Sequence, residues 1–179
     1  MIKLNPHCSV RPTIPEEFSS VIQYFLNSSP ADLKKRGTDA NKLPSFEDWY
    51  SYMLVEHEKP LKQKQFFCLS WHYDSQLIGH SCVDHVEFGT QAFAHLHIWE
   101  PEFRHKKLGY SFFWLSLRYY FKHFDLKRIY CQPNANNNEP NQLLKGLGFK
   151  LIKYYKTIPH PICFEQYVNL YVLEAPEGQ

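Results

Sequence analysis

The segment Ile98-Trp99-Glu100-Pro101-Glu102-Phe103-Arg104-His105-Lys106-Lys107-Leu108-Gly109-Tyr110 joins two apolar runs of different period. Before it, Gln91 to Trp99 alternates, with Ala94, Leu96 and Ile98 on one face and His95, His97 and Trp99 on the other, which predicts a strand. After it, Leu108 to Phe124 is apolar nearly all round, which predicts a helix buried against a sheet. A strand that passes through a basic turn into a helix is the layout of an anion site. The first-turn N–H groups of a helix have no internal partners, and its dipole places partial positive charge there. Arg104, His105, Lys106 and Lys107 add charge at the same place, so a phosphate or pyrophosphate is the simplest ligand. Taken alone, a basic turn between a strand and a helix is more often ordinary solvated surface.

The flanking chain extends the pattern. Cys8 to Arg11 reads as a first strand. Thr13-Ile14-Pro15-Glu16 offers a capping box and an early proline, so a helix should run to about Leu26. Ala31 to Arg36 predicts a short helix stopped by Gly37, and Ser45-x-x-Asp48 opens a third through His57. Gln65 to Trp71 and Gln76 to Asp84 form a hairpin, and the Gln91–Trp99 strand completes an antiparallel meander. Beyond the long helix, Arg128 to Gln132 is a short strand, parallel to its predecessor because a helix separates them. Pro140 to Leu147 predicts another helix, ended by Gly148, and two strands follow, Phe149 to Thr157 and Phe164 to Glu174. The expected fold class is α+β (mixed α/β), one central mixed sheet of about six to seven strands with helices on both faces.

Composition narrows the function. At 179 residues the chain suits a single domain, 1–179, and the 17% aromatic share favours a packed core. A net charge of +2 argues against nucleic acid as a partner. The five Cys are widely spread with no C-x-x-C pair, which fits reduced thiols in a cytoplasmic protein. No apolar run is long enough for a membrane span, and Met1 to Val10 holds no signal-peptide core.

Two spaced motifs then carry a resemblance. Trp99-x-Pro101-x-x-Arg104-x-x-Lys107-x-Gly109, followed by Asn137-x-x-Pro140-Asn141-x-x-Leu144-x-x-x-Gly148-Phe149, resembles the GNAT superfamily of acyl-CoA-dependent N-acyltransferases, in particular the branch of ribosomal-protein N-terminal acetyltransferases. The resemblance implies an acyl-CoA-binding core over 65–174, a helical N-terminal third over 12–60, and a sheet splayed between its fourth and fifth strands. It implies transfer of an acetyl group from acetyl-CoA, with no metal, to a primary amine of a small molecule or a protein N-terminus. The backbone of His97, Ile98 and Trp99 would pair with the pantetheine arm by strand addition. The N–H groups of His105, Lys106, Lys107, Leu108, Gly109 and Tyr110 would hold the pyrophosphate beside Arg104. Asn137, helped by Asn141, would bond the arm from the other wall. Lys107 stands where the family's loop has its first glycine.

The resemblance does not carry catalysis over. Where relatives place a Glu and a Tyr, this chain has Gln132 and Leu144, and neither can move the proton. His97 is the candidate base, with His95 on the same face and Asp84, His85 and Glu87 close by. Tyr154 is the candidate acid, since one of Tyr154 and Tyr155 should turn into the cleft. A non-catalytic acyl-CoA-binding or sensor module of the same fold is the alternative. A homodimer through Tyr167–Tyr171 is a further expectation.

Overall fold

In the computed structural model, residues 4–104 and 108–176 are described. Strand β1 (Cys8–Pro12) leads into helices α1 (Pro15–Leu26), α2 (Pro30–Arg36) and α3 (Phe46–Glu58). Strands β2 (Phe66–Tyr73), β3 (Gln76–Glu87) and β4 (Gln91–Ile98) form the meander. Helix α4 (Leu108–Phe124), β5 (Arg128–Cys131), α5 (Asn138–Gly146), β6 (Lys150–Thr157) and β7 (Gln166–Glu174) complete the chain. The strands make one seven-stranded sheet in the order β1-β2-β3-β4-β5-β7-β6.

Local chemistry explains the boundaries. The Ser45 hydroxyl accepts from the Asp48 N–H at 3.1 Å and starts α3 as a side-chain cap. Gly37 ends α2 at φ +83°, and Gly148 follows α5 at φ +88°, conformations that favour glycine. The expected box at Thr13 is displaced. Ile14 is the residue before α1, and Glu17, not Glu16, accepts its N–H at 3.4 Å. The Thr13 hydroxyl instead accepts from Ser70, while Glu17 also binds Arg11 and Ser70.

Helix α4 supplies the main core. Phe112, Phe113, Leu117, Tyr120 and Phe124 are buried against Leu69, Trp71, Val83, Ala94 and Ile129 of the sheet. Trp71 stacks on Phe112 at 5.0 Å, and its indole N–H donates to Ser116 at 2.9 Å. On the other sheet face, Phe18, Val21 and Ile22 of α1 pack with Met53 of α3 and Cys68 of β2.

The parallel junction positions the site. β4 and β5 pair only at Gln91↔Arg128, Ala92↔Ile129 and Phe93↔Tyr130. Past Phe93, β4 continues to Ile98 while β5 ends at Cys131, so the sheet forks between its fourth and fifth strands.

Candidate active site

A cleft of about 2280 Å³ opens from this fork. Its walls include β4 residues Ala94 to Ile98, the start of α4, the loop before α5 and the α1–α2 connection.

The ladder decides which backbone groups face the gap. The Trp99 N–H donates to the Ile78 carbonyl at 2.9 Å. Antiparallel bonding alternates along a strand, so His95, His97 and Trp99 turn their backbone groups toward β3, and Ala94, Leu96 and Ile98 turn theirs toward the gap. The expectation for His97 and Trp99 as backbone partners of a ligand is therefore corrected, because their phase commits them to the sheet. Of the three expected residues Ile98 remains, and Leu96 joins it. Arg104 donates to the Ile98 carbonyl at 3.1 Å and to the Trp99 carbonyl at 2.7 Å, so its guanidinium closes the end of β4. The Cys131 thiol takes a hydrogen bond from the Ala94 N–H at the base of the fork.

On the opposite wall, Asn137 occupies the position before α5 but does not cap it, and its buried Oδ1 has no hydrogen-bond partner among the described residues. An Asn at a helix start that leaves the amides alone and holds an unpaired acceptor is suited to an external N–H donor. Asn141 stands behind that wall, 5% exposed and not lining the cleft. Its amide donates to the carbonyls of Asn134 and Asn137 at 3.0 and 2.6 Å, and its Oδ1 accepts from Asn169 and Tyr171. Asn141 thus pins the loop and has no capacity left for a ligand.

Leu108, Gly109 and Tyr110 form the first turn of α4 and line the cleft, as does Arg104. Their amides are among those a helix leaves unpaired. Gly109 sits between the Ile98 and Leu143 side chains, and the Tyr110 hydroxyl donates to the Gly146 carbonyl at 2.9 Å, tying α4 to α5. His105, Lys106 and Lys107 lie outside the described residues.

The acid–base candidates separate clearly. His97 is packed against Phe25, Tyr24 and His80, with ring centroids at 5.0, 5.4 and 5.0 Å. Burial, and then His80, Arg36, His95 and Arg104, hold it well below the ordinary imidazole range. His80 accepts the Trp99 indole N–H at 2.8 Å, and burial pushes it down to about 3. His95 differs. Its Nε2 meets Asp84 Oδ2 at 3.0 Å, and although burial opposes the charged ring, the carboxylate's attraction and hydrogen bond raise it. Asp84 also meets His85 Nδ1 at 2.9 Å and His160 Nε2 at 3.4 Å. Burial opposes its charge, but these imidazoles hold its carboxyl well below the usual range. Among the described residues no cluster is arranged to hold a metal ion.

Neither tyrosine turns into the cleft. Tyr154 is 60% exposed and stacks on Tyr167 at 5.0 Å, and Tyr155 accepts from the Gln132 amide. Leu144 is core. Of the two tyrosines in the Tyr167–Tyr171 stretch, Tyr167 is exposed and Tyr171 is fully buried. Sequence reasoning missed the Asp84–His95 pairing, for which the His-x-His alternation was the available signal.

No family model and no curated protein matches the sequence. Solved structures do. The chain is similar to RimL, a ribosomal L7/L12 alpha-N-protein acetyltransferase in complex with coenzyme A, at 14% identity over 97% of each chain and a TM-score of 0.76. It is similar to a spermidine N-acetyltransferase from Vibrio cholerae in complex with CoA and spermine, at 15% identity over 95% and 96% of the two chains and a TM-score of 0.77. A ribosomal-protein-S5-alanine acetyltransferase from Vibrio fischeri matches at 17% identity over 98% and 97%, with a TM-score of 0.76. The fold of the chain is that of these acetyltransferases, the GNAT fold.

Proposed function

We propose that this chain is an acetyl-CoA-dependent N-acetyltransferase acting on a primary amine of a small molecule or a protein N-terminus. The observation that carries the reading is the fork beyond Phe93, which leaves the strand groups of Leu96 and the Ile98 N–H without a partner strand among the described residues, beside a helix start. Those groups suit the amides of a pantetheine arm, added as a short extra strand. The Asn137 Oδ1 suits an N–H on the arm's other side. The α4 first turn, with Gly109 and the basic residues ahead of it, suits the pyrophosphate. CoA or acetyl-CoA in structurally similar acetyltransferases supports the assignment.

Acetyl-CoA supplies the activated acyl group, and the chain's own residues position it and admit the amine. Saturating acetyl-CoA should raise the melting temperature, because a ligand at 100 times its Kd stabilises by about 2.7 kcal/mol. Asn137→Ala should weaken acetyl-CoA binding about fivefold to tenfold in calorimetry. A thiol-release assay with a serine-initiated tetrapeptide, spermidine and phenethylamine separates an enzyme from a non-catalytic module. No thermal shift at millimolar acetyl-CoA would sink the reading, and binding without CoA release would favour the module.

A further inference from the structure

We propose that His95, oriented by Asp84, is the catalytic proton acceptor for the incoming amine, and that Asp84 is its positioning residue. The inference rests on the acetyltransferase reading and adds the group that performs the proton transfer.

The geometry begins with a distortion in β3. Its register with β4 shifts between Asp84 and Glu87, and His85 in the shifted segment has φ +46°. The Asp84 side chain there is 11% exposed and accepts from His95. A carboxylate only accepts, so in the neutral His95 ring the proton sits on Nε2 and the lone pair on Nδ1. Among the described residues no hydrogen bond engages that Nδ1. His95 lies two residues past Phe93, the last paired position of β4, and lines the cleft. Its carbonyl accepts from the Ser81 hydroxyl at 2.8 Å, which accepts from Tyr120 of α4 at 3.0 Å. The ring is thus fixed at both its backbone and its distal nitrogen.

Several titratable groups around the pair are held away from their ordinary ranges by burial. From β3, His80 is held at about 3 and Cys82 well above the thiol range, both first by burial. From β4, His97 is held down in the same way. From α3, burial and neighbouring carboxylates push Tyr52 up to about 12. From loop 158–165, burial holds His160 at about 4 and pushes Cys163 up to about 11. His85 lies on the outer side of Asp84, 64% exposed.

The step balances. The substrate ammonium gives one proton to His95 Nδ1, and the neutral nitrogen attacks the thioester carbonyl. The C–N bond forms, the C–S bond breaks, and the second nitrogen proton ends on the CoA sulfur. The imidazolium then releases its proton to solvent.

The test uses the full chain with acetyl-CoA and the best of three probe amines: the serine-initiated tetrapeptide, spermidine and phenethylamine. His95→Gln keeps a donor for Asp84 but has no basic lone pair. It should lower kcat by about 100-fold or more while the KM for acetyl-CoA stays within about threefold. Asp84→Asn removes the negative charge that favours the imidazolium. The acid limb of its kcat/KM profile should move at least about one pH unit toward acid. Thermal protection of both variants by acetyl-CoA verifies that they fold and bind. A His95→Gln enzyme with near-normal kcat, an unmoved limb in Asp84→Asn, or a wild type that protects with acetyl-CoA but turns over none of the amines overturns the assignment of His95. A wild type without protection overturns the cofactor reading as well.

Discussion

Gly79 shows how one residue sets the spacing of the cleft wall. A Cβ built there would lie 2.3 Å from the His97 carbonyl oxygen, a backbone atom that cannot swing away. Gly79→Ala should therefore destabilise the fold by about 2–3 kcal/mol, read as a lower urea midpoint. Gly109→Ala makes the useful contrast. Its Cβ would meet Ile98 and Leu143 at 3.7 Å, ordinary contact, so its urea midpoint should stay close to wild type. In the sequence Gly79 looked like any strand residue, because only the cross-strand partner reveals the close approach. The same limit applies to the histidines. Alternation placed His95 and His97 on one face, but the carboxylate reaches only His95, through a β3 irregularity that no periodicity marks. Asn137 and Asn141 were equally visible as motif residues. Their roles divide on hydrogen bonds: one acceptor is unpaired and the other side chain is fully engaged.

At the level of elements, Glu56 joins α3 to the start of β2. It is 3% exposed, and its Oε2 accepts from the Gln65 and Phe66 N–H groups at 2.9 and 3.1 Å. Lys59 neutralises it, and Lys64 donates to the His57 carbonyl at 2.7 Å nearby. Glu56→Ala strands two backbone donors and a lysine, so it should lower stability by about 2–3 kcal/mol in chemical denaturation. Helix starts and stops were largely readable, because Ser45, Gly37 and Gly148 act through contacts within a few residues. The cap at Thr13 was misplaced because Ser70, on a strand distant in sequence, takes that hydroxyl into the core. The insertion of β7 between β5 and β6 depends on which edge the final hairpin adds to, a choice that strand propensity leaves undetermined.

For the whole molecule, the cleft histidines set a pH response. His80 at about 3, His160 at about 4 and the depressed His97 stay neutral in the native state, while in the unfolded chain they take protons below about 6.5. The unfolded state then binds more protons, so stability falls with acidification. His80 alone should contribute about 1.4 kcal/mol per pH unit below that point. His95 has the opposite sign: its contribution is complete below about 6.5 and disappears as pH rises through its raised value. The depressed Asp84 contributes fully above about 4 and loses this as pH falls through its native value. Urea midpoints should accordingly drop between pH 7 and pH 5, and a flat profile would contradict the neutral, buried assignment. Among the described residues no helix is long and apolar enough to cross a membrane.

Three rungs, from Gln91 to Phe93, join a half of four strands to a half of three. A guest lodged between the diverging strands beside so short a seam would splint the two leaves together. Amides of Ala92 and Ile129 would then exchange more slowly with deuterium when the guest is bound, although neither touches it.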